Sequence, residues 1–162
     1  MDTRWQSDGG TVVCGGLRLA LQRIASSHWR AEGVLRSWAL APLHREGDRL
    51  CVPCGASEVL WLGAWLEGSG RAGALSLRDR EAGVEARLDL AHGYALTAIG
   101  QQPLALREAE SSRVFALDLH AGAEVPVSIE LELMEPAVWT AMSGRAWSAL
   151  PDRPPPLPPR LG

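Results

Sequence analysis

The residues best equipped for chemistry lie in the run Cys51-Val52-Pro53-Cys54-Gly55. Two thiolates two residues apart can close on one tetrahedral metal ion, because a turn between them brings both sulfurs to one side and a following glycine admits the left-handed backbone of a knuckle. A structural zinc site needs four ligands, which ordinarily arrive as two close pairs. Here the remaining candidates are the singletons Cys14, His28, His44, His92 and His120. Cys14 and His44 would complete a Cys3His set with Cys51 and Cys54. Without a second pair, the expectation is instead that Cys51 and Cys54 are small, partly buried apolar residues flanking a turn, since free cysteine is among the most buried residue types. No metal and no cofactor is expected, with zinc as the alternative. A redox pair would need a helix starting near Ser57 and a return to βαβ connections, whereas the downstream pattern is one of successive hairpins.

The four histidines sit in four unrelated contexts, none with an acid or nucleophile at a telling spacing. Glu130 and Glu132 fall on one face of an alternating segment, at a separation compatible with a carboxylate pair, but alternation on a wet face gives the same spacing without purpose. They read as a solvated face. All sixteen basic residues are Arg and there is no Lys, which removes Schiff-base chemistry, P-loop phosphate binding and Ser-Lys dyads. No catalytic residues are assigned.

The end of the chain carries a recognition pattern. From Pro151 it reads Pro-Asp-Arg-Pro-Pro-Pro-Leu-Pro-Pro-Arg-Leu-Gly, a segment expected to favour polyproline II. Pro155, Pro158 and Arg160 fit a P-x-x-P-x-R ligand for an SH3-like groove, and Arg153, Pro156 and Pro159 fit the reverse orientation. Seven Trp against one Tyr and one Phe also leave Trp5 and Trp147, near the two ends, as candidates for contact.

The elements that must position these residues are mostly strands. Val125, Val127, Ile129, Leu131 and Leu133 alternate with polar residues, and Phe115, Leu117 and Leu119 form a second apolar row. Val84, Ala86, Leu88 and Leu90 form a third, with 74–78 as its hairpin partner. Shorter strands are expected at 94–99 and 104–107, and others at 36–43, 49–52 and 59–66, although Ser57 could cap a helix over the last. Leu17, Leu21, Ile24 and His28 at helical spacing predict an N-terminal helix, while Leu17, Leu19 and Leu21 leave a strand open. Pro136 can start a closing helix with Val138, Trp139, Met142 and Trp147, weakened by Gly144 inside it. The expected fold is mainly β (α+β by element count). It is an antiparallel sandwich or barrel-like domain over 1–150, with a helix at each end and a proline-rich tail over 151–162.

Composition bounds the rest. The chain has 162 residues and a net charge of −3, with no basic patch for nucleic acid or an anionic membrane. The longest near-continuous apolar run, 59–66, is far short of the roughly 20 residues that span a bilayer. An acidic residue at position 2 and no apolar run behind it do not resemble a signal peptide. With an odd number of cysteines, a reducing, cytoplasmic setting is expected, or a host interior if the source is viral. The absence of Lys and Asn and the excess of Ala, Arg, Gly and Pro suggest a GC-rich bacterium or a large DNA virus. The expected function is a non-enzymatic protein–protein interaction or assembly module, self-associating or bound to a protein partner. The alternatives are a thiol or zinc protein centred on Cys51 and Cys54, and an enzyme whose site the sequence does not connect.

Overall fold

A computed structural model describes residues 1–32, 35–68, 72–122 and 125–156. In chain order the strands are β1 (Trp5–Asp8), β2 (Thr11–Cys14), β3 (Leu17–Ala25), β4 (Ala39–Leu40), β5 (His44–Glu46) and β6 (Arg49–Pro53). They continue with β7 (Glu58–Leu66), β8 (Gly73–Asp79), β9 (Glu85–Asp89), β10 (Ala95–Leu96), β11 (Ser112–Ala121) and β12 (Val127–Met134). A 3-10 turn covers Ser26–His28, and the one α-helix among the described residues, α1, spans Pro136–Ser143. Among the described residues the strands form two six-stranded sheets and no closed barrel. The first runs β1-β2-β3-β7-β10, with β4 also on β3, and the second runs β5-β6-β12-β11-β8-β9.

The N-terminal helix is not formed. Its residues are β3, paired antiparallel with β7 from Leu17↔Leu66 to Ala25↔Glu58, and His28 closes the 3-10 turn beyond. Leu17, Leu19 and Leu21 enter the main core, while Ile24 packs on the opposite face. A strand buried on both faces carries apolar residues at odd and even positions, so a helical stripe can be drawn through it by coincidence. β7 shows the same property, with every residue from Glu58 to Ala64 buried, and Ser57 starts no helix.

In the second sheet, β11 and β12 pair over eight residues, and Phe115, Leu117, Leu119, Val127, Ile129, Leu131 and Leu133 are all buried. Glu130 and Glu132 therefore face outward, as the alternation requires. The β8–β9 hairpin also forms, with Leu75↔Leu88 and Leu77↔Ala86 in register. The expected rows are shorter than drawn, however, because Val84 and Val125 precede their strands and stand 38% and 74% exposed. Segment 104–107 makes only a bridge at Leu60↔Leu104. One pairing departs from the antiparallel expectation, for β12 runs parallel to β6, with Leu131 opposite Leu50.

Gly144 does not weaken the interior of α1. It ends the helix, with φ of 71° in the left-handed region and its N–H donated to the Thr140 carbonyl. Trp147 consequently lies beyond the helix. The main core draws on both sheets, including Leu19 and Leu62 from the first and Leu77, Leu117 and Ile129 from the second. A second cluster, Ile24, Trp38, Val59 and Trp61, covers the outer face of the first sheet, with Trp29, Leu35 and Leu150 packed against it. No helix among the described residues is long and apolar enough to cross a membrane.

Candidate functional site

Strand register gathers the irregular segments at one end. Ala25 is opposite Glu58, Pro53 is opposite Met134, Met134 is opposite Ser112, and Asp79 is opposite Phe115. The 26–28 turn, the 54–57 turn, the loop before β11 and α1 all lie beyond these pairs. At this end, Arg23 and Glu58 are diagonal neighbours on the inner face of the first sheet, close enough for long side chains to meet. Arg23 Nε lies 2.7 Å from Glu58 Oε2, with the side chains 7% and 3% exposed. Glu58 Oε1 accepts the Gly55 N–H at 2.9 Å, and Arg23 Nη2 donates to the Ser148 carbonyl at 2.9 Å. The guanidinium also sits 5.3 Å from the Trp147 ring centroid. A buried ion pair persists only when its remaining donors and acceptors are matched, and here the C-terminal segment supplies one of the matches.

Next to this pair opens a cleft of about 600 Å³, lined in part by Ser26, His28, Trp38, Ser57, Trp147 and Leu150. The His28 ring meets Trp38 edge-on, with centroids 5.0 Å apart. A second buried pair, Arg113 with Asp79, braces the hairpin turn after β8, where Asp79 Oδ1 also accepts the N–H groups of Glu81 and Ala82. Burial pushes the Asp79 carboxyl up, but the hydrogen bonds from Arg113 and the two N–H groups outweigh it and hold the pKa below its ordinary value.

The cysteine pair is not a knuckle. Cys51 and Val52 lie within β6 and Cys54 follows it directly, and residues three apart on an extended chain point to opposite sides. Cys51 packs with Met134 and Trp139, accepting the Trp139 Nε1–H on its carbonyl at 3.1 Å, whereas Cys54 belongs to the main core. Both are fully buried rather than partly so. Burial, aided by the Glu132 and Glu46 carboxylates, pushes the Cys51 thiol up to about 11, and burial pushes Cys54 up to about 12. His44 is the cross-strand partner of Cys51, but Cys14 packs in the main core. Among the described residues, no three His, Cys, Asp or Glu side chains gather where they could hold a metal ion.

Glu130 and Glu132 are bound to cations rather than merely solvated. Arg49 donates Nε to Glu130 and Nη1 to Glu132, each at 3.2 Å, and Arg80 reaches Glu130 at 3.1 Å. Trp5 is completely buried beneath the Arg45 guanidinium, so of the two terminal tryptophans only Trp147 is partly open. In the tail, Arg153 and Pro156 are exposed and Pro155 is half-buried, while Pro158, Pro159 and Arg160 lie outside the described residues.

Sequence reasoning missed both buried pairs. A signal was present for one: Glu58 stands two and four residues before Leu60 and Leu62, and Arg23 two and four after Leu21 and Leu19, so each charge falls in line with an inward apolar row. Reading β3 as a strand exposes that match. Arg49 as partner of Glu130 and Glu132 follows from the parallel β6–β12 pairing, which no local pattern signals. Comparison of the chain with protein-family models, curated proteins and solved structures finds no match to any of them.

Proposed function

We propose that the two sheets are the halves of a β-sandwich and that the chain is a non-enzymatic protein-interaction module, docking through the end that carries its C-terminal segment. The observation that carries this reading is how firmly the base of the tail is held. Arg23 donates to Ser148 and stacks on Trp147, Leu150 packs into the Ile24 and Trp38 cluster, and Arg145 Nη1 donates to the Leu43 carbonyl at 2.6 Å. A tail leaving from a fixed point, with Arg153 and Pro156 open to solvent, suits a partner bearing an aromatic-lined groove for proline-rich ligands. A pre-extended ligand loses little conformational entropy on docking.

The groups that could otherwise suggest catalysis have structural partners. Both CxxC thiols are buried and hard to ionise, and the outward carboxylates are bound to Arg49 and Arg80. The test is calorimetric titration of the full chain with a panel of polyproline-binding domains. Micromolar binding is expected, weakened at least about tenfold by Arg153→Glu and by Pro156→Ala, as loss of an anchor requires. Absence of binding to every domain, or binding indifferent to both substitutions, would overturn the proposal.

A further inference from the structure

Between the β8–β9 hairpin and the loop that leads from β10 to β11 lies a cavity of about 430 Å³, inside the range of roughly 300–1,000 Å³ typical of small-molecule sites. Its apolar lining comes from Val84, Ile99, Pro103, Leu106 and Phe115. Both walls are held without a ligand. On the hairpin side, Asp79 Oδ1 accepts the N–H groups of Glu81 and Ala82 at 3.0 and 3.2 Å. On the loop side, Ile99 and Gln102 exchange backbone hydrogen bonds at 2.8 and 3.2 Å, and the Leu60 N–H donates to the Leu104 carbonyl at 2.8 Å. Farther along the loop, the Arg107 N–H is fixed on Glu110 Oε1 at 2.9 Å. Fixed walls spare an entering molecule the cost of ordering the protein.

The polar groups of the lining decide what fits. They are one carboxylate, Asp79, two guanidinium groups, Arg107 and Arg113, and the Gln102 amide. Asp79 has little acceptor capacity left, because Oδ1 takes two N–H groups and Oδ2 takes Arg113 Nη2. Arg113 donates Nη2 to Asp79 and Nη1 to Glu110, and neither bond uses its Nε–H. Arg107 is exposed, and among the described residues no carboxylate pairs with its guanidinium. What remains unused is therefore donors and positive charge beside an apolar chamber. A planar guanidinium presents paired N–H groups that match the two oxygens of a carboxylate. A cation would meet two like charges and a carboxylate already occupied, and a wholly apolar molecule would gain nothing from Arg107.

We propose that this cavity binds a free, small carboxylate with an apolar body, the body against Val84, Ile99, Leu106 and Phe115 and the carboxylate on Arg107. The site shares no residue with the cleft beside Trp147, so it does not depend on the reading of the proline-rich tail.

The experiment titrates the isotope-labelled full chain with sodium octanoate and follows amide chemical shifts, with octylamine as the cation of equal tail length. Octanoate is expected to saturate one site, shifting amides of 81–84, 99–107 and 113–115, and to bind at least about tenfold more tightly than octylamine, as one charge-assisted contact implies. Arg107→Gln should weaken octanoate about tenfold, and Arg107→Glu should invert the preference toward octylamine. Both changes fall on an exposed side chain, and circular dichroism checks that the fold is kept. Val84→Trp fills the chamber and should abolish binding of both probes. No saturable shift with octanoate, octylamine binding as tightly as octanoate, shifts centred elsewhere, or an octanoate affinity indifferent to Arg107→Glu or to Val84→Trp would each overturn the proposal.

Discussion

The outer faces of the two sheets solve different problems. On the second sheet α1 covers only the end of the outer face, where Trp139 packs on Cys51 and Met134; the rest is polar and open, with Arg49, Glu130 and Glu132 forming ion pairs and Arg80 alongside, around a hollow lined in part by Ala116 and Ser128. On the first sheet Ile24, Val59 and Trp61 are buried under the segment that carries Trp29, Leu35 and Trp38, with Leu150 arriving from the C-terminus. One face is finished by charge, the other by chain. A sheet face covered by irregular chain behaves as interior, and the segments that cover it become part of the stability of the strands below.

The sharpest way to break this comparison is to truncate one tryptophan in each setting of β7. Trp61→Ala removes a ring that is 7% exposed and should cost about 3–5 kcal/mol, as deletion of a buried aromatic does. Trp65→Ala, on the same face but 42% exposed, should cost about 1 kcal/mol or less. Urea midpoints of the two variants measure both values. Equal costs would mean that the cover over the first sheet is not part of the fold.

Charge provides the second contrast. Glu58→Gln leaves the Arg23 guanidinium buried without its counter-ion and should destabilise by about 3–5 kcal/mol. Glu130→Gln, in a network whose arginines are 42% and 53% exposed, should change stability by no more than about 1 kcal/mol. Cys54→Ser comes between these extremes, since a hydroxyl in the main core costs about 1–3 kcal/mol unless it finds an acceptor. Iodoacetamide should modify native Cys51 and Cys54 slowly at pH 8 and rapidly in urea. Because their folded pKa values are raised, neutral thiols support the fold fully below the unfolded value near 8.5, and that support is lost as pH climbs toward about 11 and about 12.

Asp79 has the opposite sign. Its folded pKa is lowered, so the carboxylate stabilises above the unfolded value near about 3.9, and the contribution disappears as pH falls through the lower folded value. Thermal melts between pH 5 and pH 2 should show this loss, and Asp79→Asn should flatten it.

The same contrast explains what could be read from the chain in advance. β11, β12 and the β8–β9 hairpin each keep one wet face, so their period-two pattern survives and Glu130 and Glu132 fall where the alternation puts them. β3 and β7 are covered on both sides. Ile24 and Val59 then look like members of the same apolar stripe as Leu21 and Leu60, and the strand imitates a helix. The cysteine pair failed as a knuckle for a related reason: β6 is held extended by β5 and β12, which sends Cys51 toward α1 and Cys54 into the core. Gly144 was legible as a helix breaker but not as the stop that frees Trp147 to reach Gly55.

The measurement that bears most directly on the proposed role is the hydrogen-exchange footprint of the full chain with and without a saturating polyproline-binding domain. Protection is expected to be confined to amides of the C-terminal segment around Ser148 to Arg153 and of the adjoining 26–28 and 55–58 turns, with β8, β11 and β12 unchanged. Protection centred on the open face of the second sheet, with the C-terminal end unaffected, would contradict it.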